Sequence, residues 1–321
     1  MQIVIIGAGA LGSVLGGHLV RAGEDVTLIA RGARATVLQE HGVTLTGLAD
    51  FTVPVHVTAR PSEVREADYL IVTVKTYDTE AALESVAHMR VGSVLSVQNG
   101  VVKDEQIAER FGWARTMGAA AFVSAEATAA GPVRFTVNQW LRIGELPAGT
   151  SERVEALAAA LAHAGIRAEV SLQIRSVEWT KYVGVMSWMA LAALTRLHTY
   201  KMFQDPDLAR VAALVTRETA QLAAKLNIPL EDYEGFRIHS LSRASLEEAT
   251  ATFQQVGATM QAQGATAHKV SILQDLERGR RLEVEETLGY AVRKGAELGL
   301  QLPTLETCYR LIKGIDQCRT Q

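Results

Sequence analysis

Gln2-Ile3-Val4-Ile5-Ile6-Gly7-Ala8-Gly9-Ala10-Leu11-Gly12-Ser13 stands at the head of the chain and decides its reading. An apolar run of Ile and Val enters a Gly-x-Gly-x-x-Gly, and the residues from Ser13 to Arg21 then follow a helical pattern. Strand, glycine loop and helix in that order form the fingerprint of a dinucleotide-binding βαβ unit. Each glycine has a task in such a unit. Gly7 permits the tight turn, Gly9 lets the backbone approach a pyrophosphate, and Gly12 lets the helix pack closely. The helix N-terminus offers unpaired N–H groups and a partial positive charge to the phosphates. Gly7, Ala8, Gly9, Ala10, Leu11 and Gly12 are therefore the expected phosphate cradle, the alternative being an ordinary strand-to-helix turn.

The same alternation continues outward. Gln2–Ile6, Val26–Ile29, Leu70–Val74 and Val94–Val97 read as buried strands, with Ser13–Arg21, Thr79–His88 and Asp104–Arg110 as helices between them. This predicts an α/β, Rossmann-type doubly wound parallel sheet. Val43–Leu48 and Thr52–Thr58 predict a small antiparallel excursion. Met117–Ser124, Val133–Val137 and Trp140–Ile143, separated by Gly131-Pro132 and Asn138-Gln139, predict appended antiparallel strands. After Val170 the pattern becomes helical: Ile174–Leu197, Leu208–Leu226, Ser245–Gln261 and Val284–Leu298. Asp205-Pro206-Asp207 reads as a helix cap, and Asn227-Ile228-Pro229 and Gly299–Pro303 as helix stops. The expected organisation is a nucleotide-binding domain over 1–172 and an all-helical substrate-binding and catalytic domain over 173–321.

With 321 residues, 48% hydrophobic and 21% charged, the composition is that of a soluble globular protein of two domains. A formal net charge of −3 and the lack of any Lys/Arg run argue against nucleic acid or an anionic membrane as partner. The longest uncharged apolar stretch, Tyr182–Thr195, is shorter than the roughly 18 residues a membrane span needs. Cys308 and Cys318 match neither a zinc spacing nor a disulfide framework, and no histidine cluster suggests a metal. A cytoplasmic protein with a small-molecule substrate is expected, and the apolar second-domain helices leave a homodimer as a candidate.

The strand Val26-Thr27-Leu28-Ile29-Ala30 should end beside the adenosine ribose, where an NAD-binding chain places an acid. Here Arg31 follows, then Gly32 and Arg34. A guanidinium pairs with a 2′-phosphate that a carboxylate would repel, so the expected cofactor is NADP(H). Lys75 and Asn99-Gly100 stand where two further strands end at the ligand crevice. Lys75 is a candidate second cation near the adenosine phosphate, and Asn99 a candidate partner of the nicotinamide ribose or the substrate. Each taken alone is equally consistent with turn chemistry.

Across nearly its whole length the chain resembles the ketopantoate reductase (2-dehydropantoate 2-reductase) family. The resemblance rests on Gly7–Gly12, Val74-Lys75, Gln98-Asn99-Gly100 and Gly131-Pro132-Val133. It continues through Glu178-Trp179-Thr180-Lys181, Ser271-Ile272-Leu273-Gln274-Asp275 and Arg280-Arg281-Leu282-Glu283-Val284-Glu285. It implies NADPH-dependent reduction of a 2-oxo acid to a 2-hydroxy acid, ketopantoate to pantoate in pantothenate biosynthesis. By the same resemblance Lys181 is the general acid at the ketone oxygen. Glu283 supports the cofactor and that lysine, Ser271 binds the substrate carboxylate, and Asn99 serves the nicotinamide ribose and substrate.

The chain departs from the family at one place. Asparagines that family members carry four and eight residues after the lysine are Val185 and Met189 here, and a third aligns with Thr199 or a near neighbour. Positions i, i+4 and i+8 share a helical face, so Val185 and Met189 are expected to form an aliphatic substrate wall above Lys181, with Trp188 and Ala192 adjoining. The alternative is that they are core. A different branched or aromatic 2-oxo acid, an imine or opine reduction, and a non-catalytic NADPH-binding regulator are the competing functions.

Overall fold

The computed structural model describes residues 1–127, 131–233 and 236–319. It divides into two compact units, Met1–Glu178 and Trp179–Gln321.

The first unit is built on a ten-stranded sheet. Its strands are β1 (Gln2–Ile6), β2 (Asp25–Ile29), β3 (Val43–Gly47), β4 (Phe51–Val53) and β5 (His56–Thr58). They continue with β6 (Glu66–Val72), β7 (Arg90–Ser96), β8 (Thr116–Ala127), β9 (Val133–Glu145) and β10 (Ala168–Val170). The order across the sheet is β4-β3-β9-β8-β7-β6-β1-β2-β5, with β10 on β9. From β8 to β5 all neighbours run parallel, while β8/β9 and β3/β4 are antiparallel. Helices α1 (Ala10–Arg21), α2 (Gly32–His41), α3 (Thr79–Ser85), α4 (Lys103–Phe111) and α5 (Glu152–His163) complete the unit.

The apolar run at the head of the chain now has its reason. Ile3 and Ile5 belong to the core formed with Val14, Leu15 and Leu19 of α1 and with Val154, Leu157 and Leu161 of α5. Val4 and Ile6 belong to a second core with Ala82 and Leu83 of α3 and Ile107 and Phe111 of α4. Alternate side chains enter opposite layers, so a strand covered on both faces is apolar throughout.

Three sequence expectations are corrected here. Thr52–Thr58 is not one strand. Pro54, which has no N–H to give a ladder, divides it, leaving β4 beside β3 at one edge and β5 beside β2 at the other. Asn138-Gln139 is not a turn. Phe122 pairs with Trp140 and Val123 with Asn138, so Gln139 is the extra residue of a bulge inside the single strand β9. Helix α3 ends at Ser85, short of His88.

The second unit contains most of α6 (Ile174–Thr195), then α7 (Thr199–Gln204), α8 (Pro206–Lys225), α9 (Ile238–Arg243) and α10 (Leu246–Ala262). After these come α11 (Ser271–Glu277), α12 (Leu288–Glu297) and α13 (Pro303–Arg319). Among the described residues its departure from an all-helical reading is the short pair β11 (Asp232–Tyr233) and β12 (Phe236–Arg237). The division between units lies inside α6, because the helix runs on past the compositional change that set the expected boundary at Leu172.

Caps account for several ends. Asp205 accepts from the N–H of Asp207 and of Leu208 at 3.1 and 3.0 Å, with Pro206 in the first helical position of α8. Ser245 and Glu248 form a capping box on α10. Helix α12 starts at Leu288 rather than Val284, and the residues before it form a turn in which the N–H of Gly289 reaches the Val284 carbonyl. Among the described residues no helix is long and apolar enough to cross a membrane.

Candidate active site

The glycine loop fits a pyrophosphate in its shape. Gly7 has φ +105°, and a Cβ there would stand 2.6 Å from the Val74 nitrogen, so both conformation and space require glycine. A Cβ on Gly12 would fall 2.2 Å from the Gly7 carbonyl oxygen and 2.6 Å from the Thr73 hydroxyl. A Cβ on Gly9 would meet nothing within 4 Å, so the loop is open on that side. Thr73 closes the turn by donating its hydroxyl to the Gly7 carbonyl at 2.6 Å.

Two arginines follow β2 and differ in state. Arg31 is exposed at the N-cap of α2, and among the described residues it has neither ion pair nor hydrogen bond from its guanidinium. Arg34 is half-buried. Its Nε donates to the Ala8 carbonyl at 3.0 Å, Nη1 to the Gly131 carbonyl at 2.6 Å and Nη2 to the Ser13 hydroxyl at 2.8 Å.

Lys75 precedes a short turn from Thr76 to Asp78, and Asn99 precedes Gly100, whose φ is +88°. Both are half-buried. Gln98, to which the sequence reading gave no role, joins the two loops. Its amide donates to the Val74 carbonyl and to the Thr79 hydroxyl, both at 2.8 Å, and its carbonyl accepts from Ser96 at 2.7 Å. The Thr79 hydroxyl donates in turn to the Thr76 carbonyl at 2.7 Å. A polar residue directly after an apolar strand, beside Asn-Gly, was the available signal.

A second feature without a sequence-level prediction is a buried charged trio. Lys103 Nζ donates to Glu178 and, at 3.1 Å, to Asp104, while the Ala119 N–H donates to the same Glu178 oxygen at 2.9 Å. All three side chains are buried. Burial and the neighbouring Asp104 push the Glu178 carboxyl up to about 8. Burial works against the Lys103 ammonium, but Asp104 and Glu178 outweigh it and hold its pKa above the ordinary lysine value. Beside one ammonium and a second carboxylate, the buried Glu178 carboxyl thus holds its proton well above the ordinary carboxylate range. Lys103 and Asp104 are neighbours in the sequence, but Glu178 lies 75 residues on, so nothing local announced the trio.

In the second unit Lys181 and Glu283 are 9% and 6% exposed. Their segments are tied. The Tyr182 hydroxyl donates to the Thr287 carbonyl at 2.8 Å, and the Thr287 hydroxyl donates to the Glu283 carbonyl. Ser271 is the first residue of α11 and is half-buried. Along α6 beyond Lys181, Val185 and Trp188 retain exposure, whereas Met189 is buried at 1%. The accessible row is therefore Lys181, Val185 and Trp188, at i, i+4 and i+7, and Met189 packs in the core. Trp188 makes edge contacts with Phe203 and His268 and a tilted contact with Phe236, at centroid distances of 5.2, 6.0 and 5.7 Å. Gly184 makes room for Phe236, since a Cβ there would lie 2.1 Å from its ring. Thr199 is buried and bonds His268 Nδ1 at 2.8 Å. Among the described residues no group of His, Cys, Asp or Glu is arranged to hold a metal ion.

A glycine loop between the first strand and helix of a Rossmann-type sheet is the architecture of an oxidoreductase that works with a nicotinamide cofactor. Two family descriptions match the chain, "Ketopantoate reductase PanE/ApbA" over residues 3–148 and its C-terminal counterpart over residues 173–316. The chain belongs to the ketopantoate reductase family. The 2-dehydropantoate 2-reductase of Archaeoglobus fulgidus is 31% identical over 316 residues, 98% of each chain. A PanE/ApbA family ketopantoate reductase from Ralstonia eutropha JMP134 superposes with a TM-score of 0.85 at 27% identity, over the whole of both chains. A D-mandelate dehydrogenase solved with NADH and anilino(oxo)acetate also reaches 0.85 over both chains, at 20% identity, a likeness of fold.

Proposed function

We propose that this protein reduces a 2-oxo acid to the 2-hydroxy acid with NADPH. The observation that carries the reading is the burial of Lys181 and Glu283 on segments joined through Tyr182 and Thr287. A buried ammonium is costly unless it is used or paired, and a buried carboxylate on a tethered neighbouring segment suits both needs.

The residues present fit the cofactor. The Gly9 side of the loop and the first turn of α1 would receive the pyrophosphate, Arg31 would take the 2′-phosphate with Lys75 as second cation, and Asn99 would hold the nicotinamide ribose. When bound, the dihydronicotinamide supplies a hydride to the ketone carbon. The protein handles the charge that results. As the carbonyl π pair moves onto oxygen, the Lys181 ammonium stabilises that oxygen and then gives it a proton, recovering one from solvent. Glu283 keeps Lys181 charged and oriented, and Ser271 bonds the carboxylate end of the substrate. A domain division of labour follows: cofactor on the first unit, substrate and acid–base chemistry on the second.

Ketopantoate is the first substrate to test, since relatives at 30% and 31% identity are named 2-dehydropantoate 2-reductase. Val185 favours a second reading, a 2-oxo acid with an apolar side chain, because its isopropyl group cannot bond a substrate hydroxyl. The test is cofactor oxidation with NADPH and with NADH against ketopantoate, 2-oxo-3-methylbutanoate and phenylglyoxylate. Turnover of at least one acid, faster with NADPH, is expected. Inertness toward all three would overturn the reading.

A further inference from the structure

We propose that Arg34 is a positioning residue that sets the affinity of the glycine loop for any nicotinamide dinucleotide, while selection between NADPH and NADH belongs to Arg31; this rests on the cofactor reading above. The two arginines stand one helical turn apart at the start of α2, and charge alone would give both to the 2′-phosphate. Their geometry separates them. Every nitrogen of the Arg34 guanidinium already donates inside the first unit, to Ala8 in the loop, to Ser13 on α1 and to Gly131 before β9. Arg31 is exposed and uncommitted.

The bond to Ala8 has a consequence for its neighbour. A trans peptide is planar, with C=O and N–H on opposite sides. Fixing the Ala8 carbonyl toward Arg34 turns the Gly9 N–H away from it. That N–H adds to those of Ala10, Leu11 and Gly12, which the first turn of α1 leaves without helical partners. Were the Ala8–Gly9 peptide to flip, a carbonyl oxygen would replace this donor and repel a pyrophosphate. Ser13 supports the same arrangement by donating its own hydroxyl to the Ala8 carbonyl at 3.2 Å. Three donors in a fixed fork hold three acceptors at once, which a lysine ammonium on a flexible stem cannot reproduce.

The experiment measures dissociation constants of NADPH and NADH by protein fluorescence quenching, using the full-length wild type, Arg34→Ala, Arg34→Lys, Ser13→Ala and Arg31→Ala. Arg34→Ala should weaken both cofactors by a common factor of about ten to a hundred, the scale of a lost charged hydrogen bond. In turnover the loss should enter the cofactor KM rather than kcat. Arg34→Lys should recover only part of it. Arg31→Ala should weaken NADPH alone. If Arg34→Ala does not fold, Ser13→Ala decides, with a smaller loss common to both cofactors. Selective loss of NADPH in Arg34→Ala would make it a phosphate ligand and overturn the proposal, as would unchanged affinity for both. A wild type that binds neither cofactor would instead overturn the reading beneath it, and this proposal with it.

Discussion

Tyr182 and Thr287 are joined by a buried hydrogen bond of 2.8 Å, although 105 residues separate them. The bond links the residue after Lys181 to the last residue of the Glu283 turn, so it couples the two members of the proposed acid–base pair. Tyr182→Phe removes one of two hydrogen bonds to the Thr287 carbonyl, which keeps the Ala291 N–H at 3.3 Å, and should destabilise the protein by about 0.5–1.5 kcal/mol. Urea unfolding measures that loss. In the folded variant kcat should drop more than the cofactor KM rises, because the cofactor residues other than Glu283 lie in the first unit. Unchanged kcat would separate the tether from catalysis.

Stability should depend on pH through Glu178. Its carboxyl is raised to about 8 by burial and Asp104, against an ordinary 4.5. Between those values the folded state holds a proton that the unfolded state has released, so this group's contribution is full below about 4.5 and is lost as pH rises toward 8. Glu178→Gln keeps an acceptor for Lys103 and the Ala119 N–H without a titrating proton. It should flatten the slope of unfolding free energy across that window. Denaturation midpoints from pH 5 to 8, of the order spanned by these two values, decide it; an unchanged slope would move the proton elsewhere.

Much of the fold was legible because burial on two faces leaves a simple trace. Ile3 to Ile6 had to be apolar at every position, and the glycine loop after them carries its own geometric demands. What escaped depended on long-range placement. Thr52–Thr58 looks like one strand until Pro54 sends its halves to opposite edges. Gln98 and Lys103 each reach a partner in a distant segment, Val74 and Glu178, which no local pattern announces. Met189 and Val185 share a face on paper, yet a tilt of part of a turn puts Met189 in the core and gives the accessible place to Trp188.

Cofactor preference should follow Arg31. Arg31→Asp replaces a cation with an acid at the end of β2 and should weaken NADPH far more than NADH. Dissociation constants for both cofactors measure it. Equal affinity of the wild type for the two would remove Arg31 from phosphate recognition.

The face beyond Lys181 should govern the substrate. A hydroxyl set against Val185 without a partner loses roughly 1–3 kcal/mol, about ten- to a hundredfold in kcat/KM. Val185→Asn should therefore raise ketopantoate relative to 2-oxo-3-methylbutanoate, as read from kcat/KM for both acids. A wild type that already prefers ketopantoate by a hundredfold or so would show that polar contacts reach it from other side chains.

The central claim is that Lys181 protonates the oxygen of a 2-oxo acid as it is reduced. Single-turnover oxidation of prebound NADPH by the best substrate, in wild type and Lys181→Ala, tests it without interference from product release. A group that acts as charge develops should cost the hydride step orders of magnitude when removed, while the NADPH dissociation constant stays within a few fold. A Lys181→Ala protein that oxidises its bound NADPH at the wild-type rate would contradict the account.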